Sequence, residues 1–182
     1  MNSFEDWLGQ VLGQDQFTAK AVLRSHEALH FLVAWSLFES KCCAGYFEAR
    51  KHCKSEQLPE ISEEEALQLT DAARWFHERY SESSQFERLA PTASTSKEAR
   101  AAVTNCLGLP FDSLSASRIR EMSVFVAHRV RNNMFHGNKG IHDWLRDKEL
   151  IARCTGVCQI FVLAARRQHR EGAQAEPDNV AA

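Results

Sequence analysis

The stretch RNNMFHGNKG, Arg131 to Gly140, gathers a guanidinium, an ammonium, an imidazole, side-chain amides and two glycines within ten residues. Each group has a use in phosphodiester chemistry. Arg131 is a permanent planar cation matched to phosphate oxygens. His136 carries a proton near neutral pH, and Asn132 offers an amide that can orient either partner. Lys139 and the glycine-flanked backbone amides can hold a neighbouring phosphate, and Asn133 and Arg129 are further candidates to contact substrate. Together they are the parts of metal-free cleavage: a base for the 2'-hydroxyl or an acid for the leaving oxygen, and a cation for the developing phosphorane. That chemistry requires RNA, because DNA lacks the nucleophile. No cofactor is called for.

On a straight helix, residues five apart are rotated by about 140° around the axis, so Arg131 and His136 would not share a face. Gly137 and Gly140 offer a way out, since both tolerate positive φ and can end the helix near His136, turning the imidazole back toward the guanidinium. The plainer alternative is a helix C-terminus with Asn and Gly as terminators and His136 on the last carbonyls. Arg24 and His30 have a comparable spacing, so spacing alone does not decide.

Helices must position these groups. Phe4, Leu8, Val11 and Leu12 suggest a short first helix. From Phe17 to about His52 apolar residues run almost all the way round, which predicts a helix in the middle of a bundle. Ser62 with Glu65 forms a capping box for a helix to about Tyr80. The segment SESSQFERLAPTASTS reads as the longest loop, and Thr95 with Glu98 caps a helix ending near Cys106. A helix follows from about Ser115 to Phe135, with Ile119, Met122, Phe125, Val126 and Val130 facing inward. The last, Ile141 to about Arg170, turns Trp144, Leu145, Ile151, Val157, Ile160, Phe161 and Leu163 to its apolar side. Few runs alternate with period two, so the fold class is all-α, a bundle of about five to six helices. Residues 1–170 form a single domain, and 171–182 read as a flexible tail.

The net charge of −2 is unevenly spread: residues 1–112 hold 11 Lys+Arg against 17 Asp+Glu, and residues 113–170 hold 11 against 4. A basic segment of this kind suits either an anion-binding surface or a solvated helix. The start MNSFEDWLGQ lacks the pattern of a secretory signal, and the apolar window LHFLVAWSLF is too short to span a bilayer, so a soluble cytoplasmic protein without membrane contact is expected. The six cysteines sit in helical patterns and read as small core residues rather than disulfide or metal sites.

RNNMFHG, late in an all-helical chain of this size, resembles the HEPN family, small helical bundles many of which are metal-independent ribonucleases. The likeness lies in Arg131, Asn132 and His136, and more generally in helix order and the buried AWSLFE helix. It implies an HEPN-like fold, a homodimer in which two arginine–histidine pairs line one cleft, RNA as substrate, and a toxin or phage-defence role with a possible cognate antitoxin. Members silenced by a partner nucleotidyltransferase carry a tyrosine two positions after the histidine; Asn138 stands there, so that mode of control is not expected. Glu39 either reaches the cleft to orient Arg131 or faces solvent.

Two other readings compete. A noncatalytic HEPN-like RNA-binding or regulatory module would use the basic segment alone. HEALH, His26 to His30, matches the H-E-x-x-H of zinc peptidases, but Val33 and Ser36 stand where one continuation needs Gly and His. Glu48 is the conceivable downstream ligand. Partly buried, hydrogen-bonded histidines on a bundle helix are the simpler expectation.

Overall fold

The structure, a computed structural model, describes residues 4–12, 20–21, 23–135 and 145–175. Among these residues it is an all-α bundle without strands. Its helices are α1 (Phe4–Leu12), α2 (His26–Cys42), α3 (Ala49–His52), α4 (Glu63–Tyr80), α5 (Ser83–Leu89), α6 (Lys97–Leu107), α7 (Ala116–Phe135) and α8 (Lys148–Ala175), with short 3-10 turns at Ser55–Gln57, Thr92–Ser94 and Phe111–Ser113.

The helix count exceeds the five or six expected, for local reasons. The long run from Phe17 breaks after Cys42, where Ala44 (φ 54°) and Gly45 (φ 114°) take left-handed backbone. The Glu39 carbonyl then accepts from both the Cys43 and the Gly45 amides, at 3.2 and 3.0 Å, so orphan groups at the helix end are satisfied and the chain turns away. The stretch read as the longest loop contains α5, because Phe86 and Leu89 are buried and pull a polar sequence into about two turns of helix. At the start of α6 the N-cap is Ser96, not Thr95, and Ser96 bonds the Glu98 carboxylate instead of the backbone (2.8 Å). The last helix runs on to Ala175, into the segment read as tail. Ile141 and Trp144, expected at its start, lie outside the described residues.

The core is built by α2, α4, α7 and α8, around the fully buried Phe31, Phe38, Phe76, Phe125 and Phe161. Helices α2 and α8 run parallel: Glu27 meets Lys148 at one end (3.7 Å), and the Cys42 thiol meets the Phe161 carbonyl farther along (3.5 Å). Only one face of α2 is buried, through Ala28, Phe31, Ala34, Trp35 and Phe38. The expectation of a helix surrounded on all sides is therefore corrected: Leu29, Val33 and Leu37 are 57%, 53% and 45% exposed, with Gln159 and Val162 of α8 beside them. The six cysteines form no disulfide, and burial pushes the Cys42, Cys43 and Cys53 thiols up to about 12. No helix among the described residues is long and apolar enough to cross a membrane.

The capping box expected at Ser62 is present and does more than cap. Ser62 Oγ accepts from the Glu65 amide (3.3 Å), and Glu65 Oε2 accepts from the Ser62 amide (2.7 Å). The same carboxylate takes a two-pronged Arg167 guanidinium at 3.0 and 2.9 Å, joining the start of α4 to the far part of α8. Those bonds hold the Glu65 carboxyl down at about 2. Glu65→Ala is expected to lower stability by about 1–3 kcal/mol in urea unfolding at pH 7, and a loss below a few tenths would contradict the shared role of this carboxylate.

Candidate functional site

The candidate site sits on the last two turns of α7, where side chains separate into two faces. Residues four apart on a helix point nearly the same way, offset by about 40°. His128 and Asn132 therefore share one face with Arg131, and Arg129 and Asn133 share another.

The second face is directed inward. Arg129 is 5% exposed, donating from Nε to the Leu89 carbonyl (3.2 Å) and from Nη1 to the Ser94 carbonyl (3.4 Å). Asn133, 1% exposed, donates from Nδ2 to the same Leu89 carbonyl at 3.0 Å and toward that of Arg88 at 3.5 Å. The Arg88 and Leu89 carbonyls lie in the last turn of α5, where carbonyls lack intrahelical donors, which is why a guanidinium and an amide are well used there. Both residues were expected at the substrate. Their placement gives them another task, tying α5 and the turn after it to α7.

The first face is half-buried and forms a chain of hydrogen bonds. Arg131 Nη1 donates to Asn132 Oδ1 (3.1 Å). Asn132 Nδ2 pairs with His128 Nε2 (2.9 Å). Because the amide oxygen is already taken by Arg131, the amide NH2 is the donor to the imidazole, which assigns the His128 proton to Nδ1, a buried atom without a hydrogen-bond partner. The ring is held by aromatic contacts, its centroid 4.6 Å from that of Phe47 and stacked on Trp35 at 5.9 Å. Burial above all, then the Arg129 and Arg131 charges, bring its pKa down to about 3. The sequence reading missed His128. The available signal was its position four residues before Asn132, facing the one amide already singled out.

Glu39, a candidate to orient Arg131, has Oε1 accepting from the Phe47 amide (3.1 Å). It holds the turn after α2, and through Phe47 it supports the wall against His128. His136 and Lys139, the remaining members of the expected constellation, lie outside the described residues.

The HEALH segment begins α2 with both imidazoles exposed and their centroids 6.2 Å apart. Glu27, its would-be general base, accepts from Ser25 Oγ (3.2 Å) and pairs with Lys148. Glu48 lies beyond the opposite end of α2 and accepts from Tyr46 Oη (2.7 Å). Among the described residues no three His, Cys, Asp or Glu side chains are grouped to hold a metal.

Compared with family models, with curated proteins and with solved structures, the chain matches none.

A pH test isolates His128. Its folded pKa of about 3 lies below the free value of about 6.5, so the unfolded chain takes up the proton first and stability falls as pH drops below about 6.5. Between pH 6.5 and 5 this group is expected to cost about 1.5 kcal/mol, at about 1.4 kcal/mol per unit once the free imidazole is protonated. His52, also held down by burial, adds to the same slope. His128→Phe, which keeps a ring against Trp35 and Phe47, should remove the His128 share in urea unfolding; an unchanged slope would contradict the assignment.

Proposed function

We propose that the chain is a metal-independent endoribonuclease of the HEPN type, acting in the cytoplasm as a homodimer in a toxin or phage-defence setting. The observation that carries this reading is the ordered Arg131–Asn132–His128 chain immediately before His136. A solvated arginine on a helix end would not need a half-buried amide and imidazole behind it. Here a neutral imidazole fixes the amide, and the amide holds Nη1 of the guanidinium, so the planar cation is oriented before a phosphate arrives.

In the proposed reaction His136 takes the 2'-hydroxyl proton or donates one to the 5'-oxygen that leaves. Arg131 stabilises the charge that builds on the non-bridging oxygens, where a preoriented cation is worth most. Asn132 and His128 touch no reacting atom and act as positioning residues. The products are a 2',3'-cyclic phosphate and a free 5'-hydroxyl. Wild-type protein should yield them from RNA in excess EDTA; His136→Ala and Arg131→Ala should each lower kcat/KM by at least about a hundredfold, and Asn132→Ala by about tenfold. Full activity of purified His136→Ala protein would end this reading.

The pairing of two copies is supported by the row Leu29, Val33 and Leu37, which recurs every four residues on the open face of α2, with Val162 alongside. Contiguous apolar surface of this kind is uncommon on a monomer, and a row centred on Val33 can meet itself about a two-fold axis. Sedimentation should give twice the chain mass of 20.7 kDa, and Val33→Glu should give the single mass. A wild-type monomer at micromolar concentration would remove the dimer from the proposal.

A further inference from the structure

A concave surface lies near the C-terminal end of α2, against the late part of α8. Its volume is about 570 Å³, and its described walls are Lys41, Ala165, Arg166, His169 and Arg170. Arg166 and Arg170 also line an adjoining groove with Leu163, Arg167 and Glu171. Residues 166, 169 and 170 fall on one face of α8, and Lys41 comes to them from the last turn of the parallel α2. Two separate helices thus bring three permanent cations and an imidazole around one hollow.

Six arginines elsewhere in the chain are neutralised in place. Arg74, Arg79, Arg100, Arg120, Arg153 and Arg167 each hold a carboxylate within 3.4 Å or less. Lys41, Arg166 and Arg170 form no ion pair with any described residue; Glu171, the acid nearest the two arginines in sequence, lines the adjoining groove, and Glu39, nearest to Lys41, accepts from the Phe47 amide. Converging cations repel, and among the described residues no acidic side chain offsets that cost. A polyanion would offset it.

We propose that this groove anchors the phosphodiester backbone of RNA at a distance from Arg131. The choice of RNA rests on the ribonuclease reading; the anion chemistry does not. Among its described lining residues there is no Phe, Tyr or Trp, and its cations would hold phosphates without reading bases. Its place in the bundle separates it from the candidate site. The Arg120 guanidinium lies over Phe161 (5.9 Å), and from that level α7 and α8 run in opposite directions. Arg131 is eleven residues along one and Arg170 nine along the other, which puts them on the order of 30 Å apart along the axis. A strand held at both would be gripped at two points, and length would matter to affinity as well as sequence.

The test uses a fluorescent 20-nucleotide RNA with 2'-O-methyl groups throughout, which binds but lacks the nucleophile, titrated by anisotropy between 50 and 200 mM salt. Three phosphate contacts predict that log affinity falls with log salt about 2 units more steeply for wild type than for Lys41→Gln/Arg166→Gln/Arg170→Gln, at about 0.7 per contact on a single strand. The triple variant should bind at least tenfold more weakly at 50 mM salt. A control with the same charge change on exposed residues, Arg50→Gln/Lys54→Gln/Lys97→Gln, should leave the slope within half a unit of wild type. Equal losses in the two variants would mean only a general field and would overturn the site. So would unchanged binding in the triple variant, absence of RNA binding by wild type, or binding to anionic phospholipid vesicles in place of RNA. Cleavage of ordinary RNA by wild type is scored separately: a groove effect without cleavage sinks the ribonuclease reading alone, and cleavage without a groove effect sinks the anchor alone.

Discussion

The constraint on which the rest depends is the fixed rotation of α7. Its apolar stripe, Met122, Phe125, Val126 and Val130, is fully buried, and polar side chains on its other sides are pinned to backbone. Arg120 donates to the carbonyls of Leu58 and Pro59 at 3.1 and 2.7 Å, and Glu121 accepts from the Ser55 amide at 3.0 Å. Arg129 and Asn133 do the same for the end of α5. A helix held on so many sides cannot turn about its axis without leaving buried donors or carbonyls unsatisfied, each at a cost of about 1–3 kcal/mol. The face left over, with His128, Arg131 and Asn132, is thereby aimed once and for all.

That rigidity decides what His128 can do. An imidazole between two guanidiniums and against two aromatic rings is a poor place for a second positive charge, and its lowered pKa follows. It serves as a constant acceptor for the Asn132 amide at neutral pH, and Asn132 in turn keeps its oxygen for Arg131. Titration is left to a different group, and in the proposed reaction that group is His136. Separating the fixed acceptor from the proton carrier lets one hold its geometry across the pH range in which the other works.

Much of the fold could be read from residue order, and the reasons are local. The Ser62–Glu65 box starts α4 as its chemistry requires, and the period of Met122, Phe125, Val126 and Val130 located the buried side of α7. Errors arose where neighbours overrule propensity. Polar SSQFERL becomes α5 because two of its residues reach the core. Apolar α2 keeps an open face because hydrophobicity records what can be buried, and not by what. At the site, residue types alone did not separate Arg129 and Asn133, spent on carbonyls, from Arg131 and Asn132, directed the other way. Adjacent positions on a helix differ by about 100°, so that distinction needed the rotation of α7, which long-range contacts set. His128 was overlooked for the same reason, since its importance comes from Trp35 and Phe47 in a different part of the chain.

The most direct test of the central claim is the protonation state of His128 in the intact protein. Long-range proton–nitrogen NMR correlations of histidine side chains distinguish the two neutral tautomers from the cation. Between pH 5 and 8 the ring of His128 should stay neutral with its proton on Nδ1, and Asn132→Ala should perturb the Nε2 shift. An imidazole that titrates near 6.5, or that carries its proton on Nε2, would mean that the amide is not held as described and that Arg131 is not oriented through it.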